Sequence, residues 1–422
     1  MRSGKSLPYL FLSLAVIGSL LLFAENAMAS GPLERTLYTF SGKSHGGGPF
    51  EMDGLIADHL GNLYGTARGG GQGGGGVVFE LTPPSVAGGR WTESVLYSFP
   101  IGGDGDFPMG GLTLDAAGNL YGTAAYGGTP GNGSVFELSP PAISGGAWTE
   151  TTLHHFVGGS DGEVPVSGVI LDSNGNVYGT TYYGGAANAG TIFELSPPAV
   201  LGGAWTETLL HTFTELHGTY PGGSHPNGGL LLNPEGALLG TTNSGGDANG
   251  NGVVFKLDPP AAGQTTWREE VLYSFTGGSD GAQPFGDLAL ASGGGFYGVA
   301  TSGGFNDYGT IYQMTPPAGL GTSWTETTAY TFTGGGNDAY PVSVVSHSGN
   351  LYGTTVGFDG AYGEVFELTP QSGVWVETII HDFANTDGDY PAARLTFNNN
   401  KLYGTTLNGG TYQQGVFFEV IP

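Results

Sequence analysis

The chain has 422 residues, 82 of them glycine, no cysteine, and 10 Lys+Arg against 36 Asp+Glu, a net charge of -26. The lack of cysteine excludes disulfides, thiolate nucleophiles and thiolate metal sites. So acidic a surface repels nucleic acid and anionic lipid, and neither is an expected partner. Residues 1–29 read as a secretory signal, with Arg2 and Lys5 ahead of an apolar run from Leu7 to Phe23 and Ala27-Met28-Ala29 as the cleavage pattern before Ser30. Cleavage removes Arg2, Lys5 and Glu25, leaving 8 Lys+Arg against 35 Asp+Glu and a net charge of -27. Residues 30–422 are expected to be one secreted domain, extracellular or periplasmic and monomeric. No later stretch is apolar enough to cross a bilayer as a helix. No C-terminal anchor is expected, because the chain ends at Pro422 directly after a strand-like segment.

The signal is followed by Glu34-Arg-Thr-Leu-Tyr-Thr-Phe40, a strand-like segment, and then by a repeat. Tyr-Gly, usually within Asn-Leu-Tyr-Gly-Thr, places its glycine at Gly65, Gly122, Gly179, Gly240, Gly298, Gly353 and Gly404, at spacings of 57, 57, 61, 58, 55 and 51 residues. The fourth copy alone replaces the tyrosine, with Leu239. The second copy shows the unit in full. Gly111–Asp115 is a short apolar alternation, Leu120–Ala124 a second strand, Ser134–Leu138 a third and Trp148–Phe156 a fourth. Gly, Pro, Asn or Asp bounds each segment, and no helical period follows the signal. Four short antiparallel strands repeated seven times predict an all-β, seven-bladed β-propeller. Phe136 and Leu138 should fill one blade face and Val135 the other. All six tryptophans, Trp91, Trp148, Trp205, Trp267, Trp324 and Trp375, open fourth strands and should wedge between blades. The last unit ends at its third strand, Val416–Val420, so residues 34–40 are expected to supply its fourth and close the ring.

In such blades the loops after the second and fourth strands share one face. Here these are the varied loops. The fourth-strand loops carry Asp104, Asp106, Asp161, Glu163, Asp280, Asp338, Asp387 and Asp389, each shortly before a proline, whereas the first copy has Ser44-His-Gly-Gly-Gly-Pro49. Asp-Gly turns with a proline exit explain them structurally. Calcium is the functional alternative, with Asp104, Asp106, Asp161, Asp280, Asp387 and Asp389 as the candidate hard-oxygen ligands, although no EF-hand spacing exists. The glycine-rich second-to-third-strand loops present Tyr126, Tyr182, Tyr183, Phe305, Tyr308, Phe358, Tyr362 and Tyr412. Such rings beside Asn and Asp could stack on sugar faces, or could simply cover blade ends.

The motifs Asn119-Leu-Tyr-Gly-Thr123, Gly133–Leu138 and Gly158-Gly-Ser-Asp-Gly162 resemble the Gloeobacter/Verrucomicrobia tandem-repeat family of bacterial secreted proteins, over residues 34 to 421. The resemblance implies a repeat fold and export, but no activity. Family members often carry a C-terminal sorting anchor; with Pro422 directly after the last expected strand, this chain is expected to depart from that pattern.

No acid pair stands out for glycoside hydrolysis, and HExxH, GxSxG and the sialidase SxDxGxTW box are absent. His154, His211 and His381 share a slot with Tyr38, Tyr97, Tyr273 and Tyr330, a structural Tyr/His position. His217 and His225 lie in an insert of the fourth unit, solvated or metal-ligating. The glycine-rich loops precede no helix that could receive a phosphate. The sequence thus reads as a secreted non-catalytic binding or scaffold protein, recognising carbohydrate or another extracellular partner through one loop face. No cofactor is required. An extracellular polysaccharide- or glycoside-acting hydrolase or lyase is the alternative.

Overall fold

The computed structural model describes residues 33–48, 54–86, 88–143, 145–200, 202–214, 220–246, 249–319, 323–335, 338–357 and 360–422. The expected signal segment, His217 and Phe358 lie outside them. The described residues form a seven-bladed propeller of seven four-stranded antiparallel sheets, with almost no helix. Blades 1 to 6 span residues 56–100, 113–155, 170–212, 231–274, 282–331 and 341–382. Blade 7 takes three strands from residues 396–421, and Leu33–Thr39 is its outer strand, paired from Leu33↔Ile421 to Thr39↔Val416. A two-stranded ladder that the repeat does not announce joins Gly46–Gly47 to Gly69–Gly70.

The strands fall close to the expected positions. In blade 2 the second is Leu120–Ala124, the third Ser134–Ser139 and the outer Thr149–His155, while the inner shrinks to Thr113–Leu114. The signature residues explain themselves. Asp115 Oδ1 accepts the Ala117 and Asn119 N–H groups (both 2.8 Å), and its Oδ2 accepts Asn119 Nδ2 (2.9 Å) and Tyr121 OH (3.4 Å). Asp58 and Asp172 repeat this turn. Asn and Tyr of Asn-Leu-Tyr-Gly-Thr thus lock the hairpin between the first two strands.

Both blade faces are apolar because each packs on a neighbour. Phe136 and Leu138 enter the core between blades 1 and 2, and Val135 the core between blades 2 and 3. The tryptophans are wedges. Trp91 meets Tyr403 and Phe417 of blade 7 at 5.6 and 5.1 Å, Trp148 meets Tyr64 at 6.3 Å, Trp267 meets Tyr178 at 6.5 Å and Trp375 meets Tyr297 at 5.9 Å. Each therefore leans on the Tyr-Gly tyrosine of the preceding blade. Where that tyrosine is Leu239, Trp324 turns to its own blade's Phe296 at 5.5 Å.

Candidate functional site

The loops after the second and fourth strands meet on one face, as backbone pairs. Asp106 and Tyr126 exchange N–H···O bonds of 2.8 and 3.1 Å, Glu163 and Tyr183 bonds of 3.0 and 3.1 Å, and Asp389 and Asn408 two of 3.0 Å. The residue before each loop proline carries the pairing further. Phe107, Val164, His225, Gln283, Tyr340 and Tyr390 all have φ between +53° and +61°. Left-handed backbone is costly for residues with a Cβ, more so for branched Val164 and directly before proline. Two hydrogen bonds offset the cost. Each residue donates its N–H to the preceding blade, as Phe107 does to Gly75 (2.7 Å) and Tyr390 to Tyr362 (3.0 Å). Most also accept an N–H from just beyond the second strand of their own blade, as Phe107 does from Ala125 (3.1 Å). A rigid staple between blades thus displays a side chain that differs from one copy to the next.

Aromatic pairs follow from this geometry. Phe107 lies 6.0 Å edge-on to Tyr126, His225 sits 4.9 and 5.4 Å from Tyr182 and Tyr183, and Tyr340 lies 6.4 Å from Tyr308. Of the rings singled out in the sequence, Tyr126 (47%), Tyr183 (38%), Phe305 (58%), Tyr362 (38%) and Tyr412 (58%) are exposed, whereas Tyr182 and Tyr308 are half-buried. Tyr390 joins the exposed group and had not been singled out. Its signal was available: it is the residue before a loop proline.

The acids divide. Asp106, Asp161, Asp280 and Asp387 accept N–H groups of their own loops, from Gly102 (2.8 Å), Val157 (2.6 Å), Thr276 (2.7 Å) and Ala384 (2.8 Å). Asp280 also accepts Tyr273 OH (2.9 Å) and Thr276 Oγ1 (2.6 Å). Asp104 is exposed and Asp389 half-buried. Among the described residues, Asp387 is the one of these six candidates that falls among three ligand-type groups close enough to share an ion, with Glu34 and His381.

The Tyr/His slot has two kinds of partner. His154, Tyr273 and His381 meet Asp161, Asp280 and Asp387 of the loop that follows, at 3.2, 2.9 and 3.3 Å. Other members reach a glutamate of the next blade. Tyr38 donates to Glu93 (3.2 Å), Tyr330 to Glu377 (2.9 Å), and His211 lies 3.6 Å from Glu269. That glutamate lies two residues after the tryptophan that opens the outer strand, as Glu93, Glu269 and Glu377 follow Trp91, Trp267 and Trp375. Burial pushes the Glu269 carboxyl up to about 7. Burial with a nearby aspartate does the same in Glu34, Glu207 and Glu326. The folded state therefore holds protons that the unfolded chain releases near 4.5. That stability is complete below 4.5 and is lost as pH rises through 7. His211, lowered to about 4 by burial, and His381, lowered mainly by burial, oppose this below their ordinary value of 6.5. The glutamates outnumber them, and self-repulsion at high pH adds to their effect. The melting temperature should fall by several degrees from pH 5.5 to 8.5. Calorimetry showing a rise would contradict this assignment.

The inner strands of all seven blades line a central channel of about 630 Å³. Where other copies have Gly111, Gly168 and Gly229, blades 5 and 7 have Asp287 and Arg394. Arg394 Nη1 lies 3.2 Å from Asp287 Oδ2, and Asp287 Oδ1 accepts the Gly229 N–H at 2.9 Å. His347 stacks on Phe397 at 4.1 Å in the same channel. These charged departures from the glycine slot could have been read from the aligned copies.

The sequence profile of the Gloeobacter/Verrucomicrobia repeat matches residues 26–225 and 206–418. The chain belongs to the Gloeobacter/Verrucomicrobia repeat family. No curated protein matches it. Among solved structures, this family member is similar to PorZ, a surface component of the type-IX secretion system of Porphyromonas gingivalis, at 15% identity and a TM-score of 0.52. The match covers 91% of this chain and 47% of PorZ, so the chain spans about half of PorZ's length. An ulvan-type polysaccharide lyase is similar at 9% identity over 90% of this chain and 95% of the lyase, with a TM-score of 0.52. A Lactobacillus plantarum protein is similar at 17% identity over 86% of this chain and 99% of its own, with a TM-score of 0.51. At these identities the likeness shows the propeller fold of the family member alone.

Proposed function

We propose that this propeller is a secreted, non-catalytic binding protein whose loop face takes a carbohydrate or another extracellular partner. The observation that carries the reading is the set of exposed rings Tyr126, Tyr183, Phe305, Tyr362, Tyr390 and Tyr412 on one stapled face. Rigid amphipathic rings offer contact area at little cost in conformational entropy. The net charge of -26 disfavours polyanionic chains, so neutral glycans are the expected class. Export rests on the signal pattern in residues 1–29. Among the described residues no helix is long and apolar enough to cross a membrane. PorZ, which shares the fold, is itself a bacterial surface component.

Residues 30–422 should bind selectively on a glycan array. The variant Tyr126→Ala/Tyr183→Ala/Tyr412→Ala removes three of the rings that would stack on the glycan and should weaken that binding by at least about tenfold, each ring offering rigid amphipathic contact area, while leaving the melt unchanged. Unaltered affinity would remove the face from the binding site. Release of shortened or unsaturated sugars would instead favour the hydrolase or lyase reading.

A further inference from the structure

Two departures from the repeat meet in blade 6. The third strand opens on Ser134, Thr191 and Thr310 in blades 2, 3 and 5, but on Glu364 in blade 6. In the loops that enter blades 3 and 5, Gly158 N–H donates to Gly162 O and Gly277 N–H to Gly281 O, both at 3.1 Å. The matching bond into blade 6 runs from Gly334 N–H to Asp338 O at 2.9 Å. Asp338 therefore stands in the glycine's place, one residue beyond the aspartate position of its siblings. A side chain there faces the start of the third strand. A Cβ on Gly281 would lie 2.5 Å from Thr310 Oγ1, and one on Gly162 2.8 Å from Thr191 Oγ1. Blade 6 thus sets two carboxylates against each other where other blades have a glycine and a hydroxyl. Glu377, the recurrent outer-strand glutamate, supplies a third, and carboxylate oxygens of all three lie within 4.8 Å of one another.

The cluster has unused acceptors. Asp338 Oδ2 accepts Thr333 N–H (3.0 Å) and Oγ1–H (2.8 Å), and Glu377 Oε2 accepts Tyr330 OH (2.9 Å). Glu364 Oε1 and Oε2, Glu377 Oε1 and Asp338 Oδ1 are buried without a hydrogen-bond partner. Glu364 is 0% exposed. Among the described residues no Lys, Arg or His makes an ion pair with any of the three. Buried carboxylates without a counter-charge are strongly destabilising. An all-oxygen, multiply anionic set suits a hard divalent cation, and calcium better than magnesium, which keeps its waters.

We propose that Asp338, Glu364 and Glu377 bind a divalent cation, calcium by preference, which ties the loop leaving blade 5 to the third and outer strands of blade 6. The site is independent of the loop-face reading and is tested without any glycan. Residues 30–422, stripped with chelator, should show a saturable calcium site by titration calorimetry and a higher melting temperature with calcium than with EDTA. Glu364→Thr restores the residue of blades 3 and 5 and leaves Glu34, His381 and Asp387 intact. It should weaken calcium binding by at least about tenfold and abolish the calcium-dependent shift. Crystals of the unaltered protein soaked in Mn²⁺ should give an anomalous peak between the three carboxylates, a readout that needs no variant. An equal calcium shift in Glu364→Thr, no peak at the cluster, or a melt indifferent to calcium would overturn the site.

Discussion

Deleting residues 33–40 is expected to lower the melting temperature by on the order of 10 °C or more. Leu33–Thr39 is the outer strand of blade 7, and its loss leaves Val416–Ile421 as an open edge. Phe40 goes with it. That ring is fully buried between blades 7 and 1, 5.2 Å from Phe79, in a cluster with Leu63, Val77 and Phe417. Truncating a buried phenylalanine alone costs about 3–5 kcal/mol. Phe40→Ala should therefore reproduce part of the loss, and the deletion should also promote association through the exposed edge. Calorimetry and light scattering check both. An unchanged melt would mean that the ring does not depend on this strand.

Gly179→Ala is expected to destabilise by about 2–4 kcal/mol, far more than an ordinary strand substitution. The Tyr-Gly glycine lies under the aromatic ring of the third strand. A methyl on Gly179 would stand 2.5 Å from Phe193 Cζ and 3.1 Å from Val169 Cγ1. The same crowding recurs at Gly122, Gly240 and Gly404, with Phe136, Phe255 and Phe418 Cζ at 2.7, 2.6 and 2.5 Å. Phe193 is fully buried and cannot swing aside. Pairing the change with Phe193→Leu should recover part of the loss, because the smaller side chain makes room. In a double-mutant cycle by denaturant unfolding the two changes should couple by more than about 1 kcal/mol. Additive losses would show that the ring and the glycine do not constrain one another.

The same contacts explain why the fold was legible. Each signature residue does a local job repeated in other blades: Asp115 and Asn119 close a turn, Gly122 admits the Phe136 ring, and Trp148 leans on Tyr64. Repetition makes such residues visible, and the missing last strand showed where the ring closes. The site was less legible because its informative residues are those that do not repeat. Tyr390 sits where proline ordinarily forces the preceding residue into extended backbone, and backbone bonds to Tyr362, Ala392 and Leu407 hold it left-handed. Asp338 reads as one more loop acid until its hydrogen bond places it in the position of a glycine. Asp287 lies in the inner strand of blade 5 and Arg394 just before that of blade 7, and their sequence does not reveal that they face one channel.

The most direct measurement is hydroxyl-radical footprinting of residues 30–422, free and saturated with a glycan found on the array. Protection at Tyr126, Tyr183, Phe305, Tyr390 and Tyr412 is the predicted result. Protection confined to Trp324 and Leu290, which line a cavity between blades 4 and 5 away from these loops, or to Phe397 in the central channel, would contradict a binding function on the stapled loop face.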